Sequence, residues 1–346
     1  MKILIMRFSS FGDVLQTLSV AGRLGQTFPQ AEIHWVTREE FVPLISTHPR
    51  VTKVWSLRKG ADFTDLLKLG HQLRREHFTH VYDAHNNLRS HLLGLQLKGF
   101  LSWRVWTGRV RFLRRSIFRW RRFLLFQFRW NLFPKPFSGQ KALLAPLAAW
   151  GVPDQAPDVP QLFLSGTDSS RIPREWTRYV ALAPSAAFEL KRWPLEYWKE
   201  LIRMSTELHF VVLGGPEDQF LKELEPIAPD RVICLAGQMD LLESARVVAS
   251  SQALVANDTG LMHVAEQIGK PCVALMGPAP FGFPCRERTI VMELDLACRP
   301  CSKHGQGPCV NPEYQKCLRG IPPQDVVKQL RRVLHAKLDA PISAEP

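Results

Sequence analysis

The sequence predicts an α/β protein of two Rossmann-like lobes, each with a parallel sheet whose loops aim at a central cleft. Three observations predict it. Short apolar runs alternate with helical patterns through the first half, a proline-punctuated stretch without helical period interrupts them, and the same rhythm then restarts. At 346 residues the chain exceeds one ordinary core, so two domains of about 150 residues each are expected.

In the first lobe KILIM (2–6) reads as a buried strand, and Val14, Leu15, Leu18, Ala21 and Leu24 mark one face of a helix. EIHWVT (32–37), VTKVWSL (51–57) and HVYDA (80–84) read as the next strands, with a helix beginning over Phe41–Ile45. The interruption GVPDQAPDVPQLFLS (151–165) carries three prolines and reads as a linker. Beyond it YVALAP (179–184), HFVVLGG (209–215), RVICLAG (231–237), ALVAND (253–258) and PCVALMG (271–277) read as strands. The expected domains are 1–155, 156–322 and a C-terminal helix with a frayed tail over 323–346, the helix running from Pro323 to about Lys337. Parallel sheets of this kind bind ligands at the carboxyl ends of their strands, so both lobes direct their loops to one cleft.

Composition narrows the function. No window is apolar for the roughly 18 residues of a membrane span, and the MKILIM start lacks the basic leader and long apolar stretch of a secretory signal. A soluble, internal protein is expected, with its seven cysteines reduced. The charge is localised. Between Ala84 and Pro153 there is no Asp or Glu, but there are thirteen Lys/Arg, equal to the whole net charge of +13. Within that window RVWTGRVRFLRRSIFRWRRFLLFQFRW (104–130) interleaves arginines with Trp and Phe. An exposed helix face and a nucleic-acid patch with stacking aromatics are alternatives. The favoured expectation is an anionic lipid surface, with Arg114, Arg115, Arg121 and Arg122 among the contacts.

The sharpest segment is ALVANDTGLMHVAEQIGKPCVALMGP (253–278). A buried strand ends at Asn257-Asp258, a Thr259-Gly260 turn follows, and a helix opens at Leu261 with His263 in its first turn. Such a junction points backbone N–H groups and the positive helix end at one spot, suiting a phosphate or diphosphate. The alternative is a plain helix capped by Asp258 or Thr259.

The motif Asn257-Asp258-Thr259-Gly260-Leu261-Met262-His263, followed by a buried strand and Gly277-Pro278, resembles the signature of glycosyltransferase family 9, the lipopolysaccharide heptosyltransferases. The opening KILIMRFSSFGDVLQTLSV is similar to that family's strand–loop–helix start, with Gly12 and Asp13 in the loop. APSAAFELKRWPLEYWKEL (183–201) and LGGPED (213–218) resemble its next segments, in order. The resemblance implies a GT-B architecture and an inverting, metal-independent transfer from ADP-heptose to a lipopolysaccharide core acceptor. It implies Asp13 as base, with Ser10, Gly12 and Arg89 toward the acceptor and Ser9 beside them. On the donor side it implies Lys191, Asp258, Thr259, Gly260 and His263 at the diphosphate. Asp218 would grip the ribose diol, with Glu217 an equal candidate by spacing, and Met239 would line the adenine pocket. Where many members carry Gln-Gly after the fourth strand, this chain has His85-Asn86-Asn87, which leaves the acceptor's identity open. The implied partners are a nucleotide sugar and a lipid A-type acceptor, with no nucleic acid, for a monomer peripheral to the inner face of the inner membrane.

Cys298, Cys301, Cys309 and Cys317 gather in a Pro- and Gly-rich stretch. Four thiolates would make a closed structural zinc site, with His304 able to replace one ligand. Four unligated thiols are the alternative. Two rivals stand beside the favoured function: a family relative using another nucleotide sugar or acceptor, and a non-catalytic nucleotide- or nucleic-acid-binding protein.

Overall fold

The computed structural model describes residues 1–98, 110–164 and 171–335. Trp103, Arg104, Trp106 and Arg109 of the basic window, and the tail beyond residue 335, lie outside the described residues. The chain divides into two compact units, Met1–Phe123 with Gly139–Phe163 and Leu124–Ser138 with Leu164–Pro346.

The first unit is a parallel sheet of β1 (Lys2–Met6), β2 (Glu32–Arg38), β3 (Val51–Leu57), β4 (His80–Asp83) and β5 (Arg111–Arg114), in the order β3-β2-β1-β4-β5. Ile3, Leu4, Ile5 and Met6 in the central strand are fully buried, as a strand covered on both faces requires. The sequence did not announce β5. Its four residues RFLR lie in the arginine run, where no apolar periodicity survives. They pair with β4 alone, at an edge that tolerates polar side chains. Part of the segment read as a basic surface is therefore sheet.

Gly12 and Asp13 also differ from expectation. They lie in the first turn of helix Phe11–Thr27 rather than in a loop. Ser10 is the extended N-cap residue, and its side chain makes no capping bond to the backbone. Instead its hydroxyl donates to Asp13 Oδ2 at 3.0 Å. Glycine's low helix propensity hid this start, yet at a first turn the backbone N–H groups are unpaired anyway, so the cost is small.

The second unit holds β6 (Val180–Ala183), β7 (Phe210–Val212), β8 (Val232–Cys234), β9 (Ala253–Asn257), β10 (Cys272–Leu275) and β11 (Thr289–Met292), parallel throughout, in the order β11-β10-β9-β6-β7-β8. Every residue of β9 is buried. Trp193 and Trp198 pack edge to face with centroids 5.1 Å apart, and Trp193 Nε1 donates to the Ile321 carbonyl at 2.9 Å, which docks the approach to helix Pro323–His335 on this core. Helix Gly260–Ile268 follows β9 and ends at Gly269, whose φ of +73° closes the left-handed cap.

Candidate active site

In the first unit the site forms where β1, β4 and β5 end side by side. Arg7, one residue past β1, is buried and donates from Nη1 to the Ala84 carbonyl at 2.6 Å. Its Nη2 pairs with Asp13 Oδ2. Arg115, one residue past β5, is also buried and brings Nη1 to 3.7 Å from Asp13 Oδ1. Arg122 feels the charges of both Arg115 and Asp13. Burial alone would push the Asp13 carboxyl up. Arg7 and Arg115 outweigh it, with help from the Ser10 hydrogen bonds, and hold it well below the usual carboxylate range.

Asp83, at the end of β4, is fully buried and organises the neighbouring loop. Its Oδ1 accepts from the backbone N–H groups of His85 (3.1 Å) and Asn86 (2.8 Å), while Oδ2 accepts from Ser90 (3.0 Å) and Arg114 Nε (2.8 Å). Burial, reinforced by Arg7, pushes the His85 imidazole down to about 4, so it is neutral at pH 7. Arg115 is thus internal, and the expectation that it faces a lipid surface is corrected; Arg114 is half-buried and anchored to Asp83. Arg89 is exposed near the start of helix Leu88–Lys98.

In the second unit Lys191, in the short turn Glu189–Lys191, places Nζ 2.7 Å from Asp258 Oδ2. Asp258 is therefore an ion-pair partner and not the helix cap. Thr259 holds the cap position with extended backbone, and its hydroxyl makes no capping bond. Asn257 is buried and stitches the neighbouring segment in place. Its Oδ1 accepts from the Trp193 N–H at 3.1 Å and its Nδ2 donates to the Pro184 carbonyl at 2.5 Å.

His263 is buried with Nδ1 3.0 Å from Glu266 Oε2, and Glu266 Oε1 accepts the Cys285 N–H at 2.6 Å. Burial would raise the Glu266 carboxyl, but these contacts lower it on balance. Gly282, at φ +92°, lies close enough that a Cβ there would sit 3.7 Å from both Asp258 Oδ1 and His263 Nε2. Neither Gly282 nor Glu266 was singled out from sequence. The signal for Glu266 was its i,i+3 spacing from His263 on one helix face.

Asp218 is buried, and its oxygens are engaged. Oδ1 accepts from the Ser185 hydroxyl at 2.5 Å, Oδ2 accepts from the Gly215 N–H at 2.7 Å, and Arg192 lies 3.7 Å away. Glu217 next to it is exposed. Met239 is half-buried immediately before Asp240, which caps helix Leu241–Ser250 through a capping box.

The cysteine stretch packs on the turn that carries Lys191. Tyr314 donates to Glu189 Oε1 at 2.7 Å, and Gln315 Nε2 to the Glu189 carbonyl at 2.8 Å. A Cβ on Gly305 would come within 2.6 Å of Lys191 Cγ. Asn311 Nδ2 donates to Cys298 Sγ and the Gln315 N–H to Cys309 Sγ, both at 3.3 Å, the contacts that thiolates accept well. Burial pushes the Cys317 thiol up to about 11, with Cys301, Cys309 and Cys298 adding to it. As placed, no group of three or more His, Cys, Asp or Glu among the described residues forms a metal cage.

Among the described residues no helix is long and apolar enough to cross a membrane. Helix Arg119–Phe128 exposes Trp120 (67%) and Phe123 (49%), ring centroids 6.0 Å apart and stacked, with Trp120 flanked by exposed Arg119 and Arg121. Phe128 and Trp130 are exposed just after them, 5.8 Å apart.

Asp13, paired with Arg7 and Arg115 in the first unit, and Lys191, paired with Asp258 beside the start of helix Gly260–Ile268 in the second, are the charged clusters that these elements position. The chain matches the model of glycosyltransferase family 9 (heptosyltransferase) over residues 66–308 and belongs to that family. Lipopolysaccharide heptosyltransferase 2 of Escherichia coli K12 is 27% identical over 358 residues, covering 96% of this chain and 99% of that protein. Lipopolysaccharide heptosyltransferase 1 of the same strain is 26% identical over 303 residues, covering 82% and 90%. The structure of E. coli ADP-heptose lipopolysaccharide heptosyltransferase II is similar over 98% of this chain and 100% of its own, with a TM-score of 0.73 at 24% identity. The fold is accordingly of GT-B type.

Proposed function

We propose that this glycosyltransferase moves heptose from ADP-heptose to a Kdo- or heptose-bearing lipid A acceptor, with inversion and without a catalytic metal. The observation that carries the reading is the family match together with an intact Asp13 and Lys191–Asp258 set. A non-catalytic nucleotide binder has no need of a carboxylate held ionised beside an acceptor loop. The test is transfer of a heptosyl residue to a core acceptor.

The acceptor hydroxyl oxygen attacks the anomeric carbon opposite the diphosphate. The bond from that carbon to the phosphate oxygen breaks, ADP leaves with the electron pair, and Asp13 takes the hydroxyl proton. Lys191 and the N–H groups at the start of helix Gly260–Ile268 meet the charge growing on the distal phosphate, so the positive charge a metal would bring is supplied by the chain. Thr259 adds a hydroxyl not spent on capping, and His263, oriented by Glu266, lines the same end. Asp218, whose oxygens keep lone pairs beyond those that Ser185 and Gly215 use, grips the ribose diol, with exposed Glu217 the alternative beside it. Met239 lines the base. Ser10, Gly12 and Arg89 serve the acceptor.

The four cysteines fit a structural metal by their chemistry, and Asn311 and Gln315 would supply N–H groups to its thiolates. Such a metal would hold the stretch that buttresses Lys191. Freshly purified, reduced protein is expected to carry about one zinc per chain by elemental analysis. Removing it should weaken ADP binding while Asp13 chemistry is untouched. Metal-free protein with full ADP affinity would leave only unligated thiols.

The exposed Trp120, Phe123, Arg119 and Arg121 support peripheral attachment at the inner face of the inner membrane. Each basic residue near an anionic bilayer contributes about 1 kcal/mol. Wild-type protein should bind vesicles containing anionic lipid, weakly at high salt and little when the lipid is neutral. Trp120→Ser with Arg121→Ser should weaken vesicle binding and spare turnover of a lipid-free acceptor. Equal loss on both acceptors would place these residues in the fold or the sugar site.

A further inference from the structure

Helices Phe63–Arg75 and Leu88–Lys98 pack side by side against the first sheet, with Leu66, Leu69, Leu73 and Leu93 in the core beneath them. Gly70 allows the close approach, since a Cβ there would run into Gln96 Oε1. Along the helix pair runs a groove of about 820 Å³, walled by Leu67, Lys68, His71, Arg74 and Arg75 from the first helix and Leu95 from the second. Leu67 and Leu95 stay 41% and 54% exposed.

The basic side chains of this groove have no carboxylate to answer them. Asp62 caps the helix by accepting the Asp65 N–H at 2.8 Å, Asp65 lies 3.6 Å from Arg58, and Glu76 is shared by Lys2 and Lys53, both at 2.9 Å. Among the described residues none of Lys68, Arg74 and Arg75 makes an ion pair. Arg74 and Arg75, in the last turn, complement the negative helix end, but Lys68 and His71 lie in the middle of the helix, where that field is weak.

We propose that this groove binds an anionic phospholipid, its phosphate held by Lys68, Arg74 and Arg75 and the first carbons of its chains lying on Leu67 and Leu95. The inference deepens the peripheral attachment proposed above and rests on it, but works through other residues than helix Arg119–Phe128. Size and composition favour a lipid over a macromolecule. Pockets of about 300–1,000 Å³ suit one small ligand. A protein partner covers about 20–30 residues on each side, and nine line this groove. No Trp, Tyr or Phe lines it, so single-stranded nucleic acid finds no stacking platform. A phospholipid uses the mixture present: cations for its phosphate, and leucines with the apolar stems of Lys and Arg for its glycerol and chains.

The test uses full-length protein and a lipid that stays monomeric. With leucine methyls labelled in 13C, the Leu67 and Leu95 signals are assigned by their loss in Leu67→Ile and Leu95→Ile. Dihexanoyl phosphatidylglycerol below its micelle concentration should shift both signals saturably. Dihexanoyl phosphatidylcholine lacks the net charge and inorganic phosphate lacks the chains, so both should act far more weakly. Each basic residue near an anionic lipid surface is worth about fivefold in binding, so Arg74→Ser with Arg75→Ser should weaken the phosphatidylglycerol response about 25-fold. Both positions are exposed, and turnover of a lipid-free acceptor should be unchanged. Lys68→Ser, about fivefold weaker, serves if the double variant does not fold.

No saturable shift in folded wild-type protein would overturn the site. Inorganic phosphate acting as strongly as phosphatidylglycerol would make it a plain anion site, and oligo-glutamate shifting the signals where the lipid does not would make it a protein-docking face. Either result would overturn the lipid assignment. The attachment proposed above fails differently: if Trp120→Ser with Arg121→Ser leaves vesicle binding intact while short-chain phosphatidylglycerol fills the groove, attachment through helix Arg119–Phe128 is lost and the groove stands.

Discussion

Asp13→Asn is expected to lower turnover by roughly 10²- to 10⁴-fold, the usual size of a general-base contribution. Asparagine keeps the shape and can still receive the Ser10 hydrogen bond, so the helix start should survive. Donor affinity should be unchanged, because Lys191 and helix Gly260–Ile268 belong to the other unit. The pH profile carries a second signature. Arg7 and Arg115 depress the Asp13 carboxyl, so its basic form persists as pH falls and is lost only well below the ordinary carboxylate range of about 4. The acid limb of kcat/KM should therefore not appear between about pH 4 and 5. Near-normal turnover by well-folded Asp13→Asn protein would remove Asp13 from the chemistry.

Lys191→Ala should weaken ADP binding by about ten- to a hundredfold. A hydrogen bond to a charged group contributes about 1.5–3 kcal/mol, and each 1.4 kcal/mol is about a factor of ten. Turnover should fall further than affinity, since the charge on the distal phosphate is greatest in the transition state. The same substitution leaves the buried Asp258 without its ion-pair partner. A parallel Lys191→Ala/Asp258→Asn protein separates that structural cost from the lost phosphate contact. Calorimetry with ADP decides the matter: an unchanged affinity in the single variant would move the diphosphate elsewhere.

The apolar strands were the legible part of this fold. KILIM and ALVAN declare themselves because a strand buried on both faces cannot hide its composition. β5 did not, because at a sheet edge RFLR owes its conformation to pairing with β4, which no local pattern encodes. The same reason concealed the environment of Asp13. Arg7 and Arg115 stand far apart in sequence and meet only because β1, β4 and β5 are neighbours in the sheet. Arginines that read as a surface patch were thus partly the inside of a site. Asp218 shows the opposite limit. Its position in LGGPED was legible, but the Ser185 and Gly215 contacts that occupy it depend on the approach of β6 to β7.

The central claim is that this chain transfers heptose. Purified wild-type and Asp13→Asn proteins incubated with ADP-heptose and a panel of truncated core lipids would be followed by mass spectrometry of the lipid and by release of ADP. The wild-type protein should add one heptosyl residue to at least one anionic core acceptor, with stoichiometric ADP, and Asp13→Asn should add almost none in the same time. Transfer from another nucleotide sugar with ADP-heptose inert, or ADP-heptose bound without any lipid gaining mass, would contradict the claim.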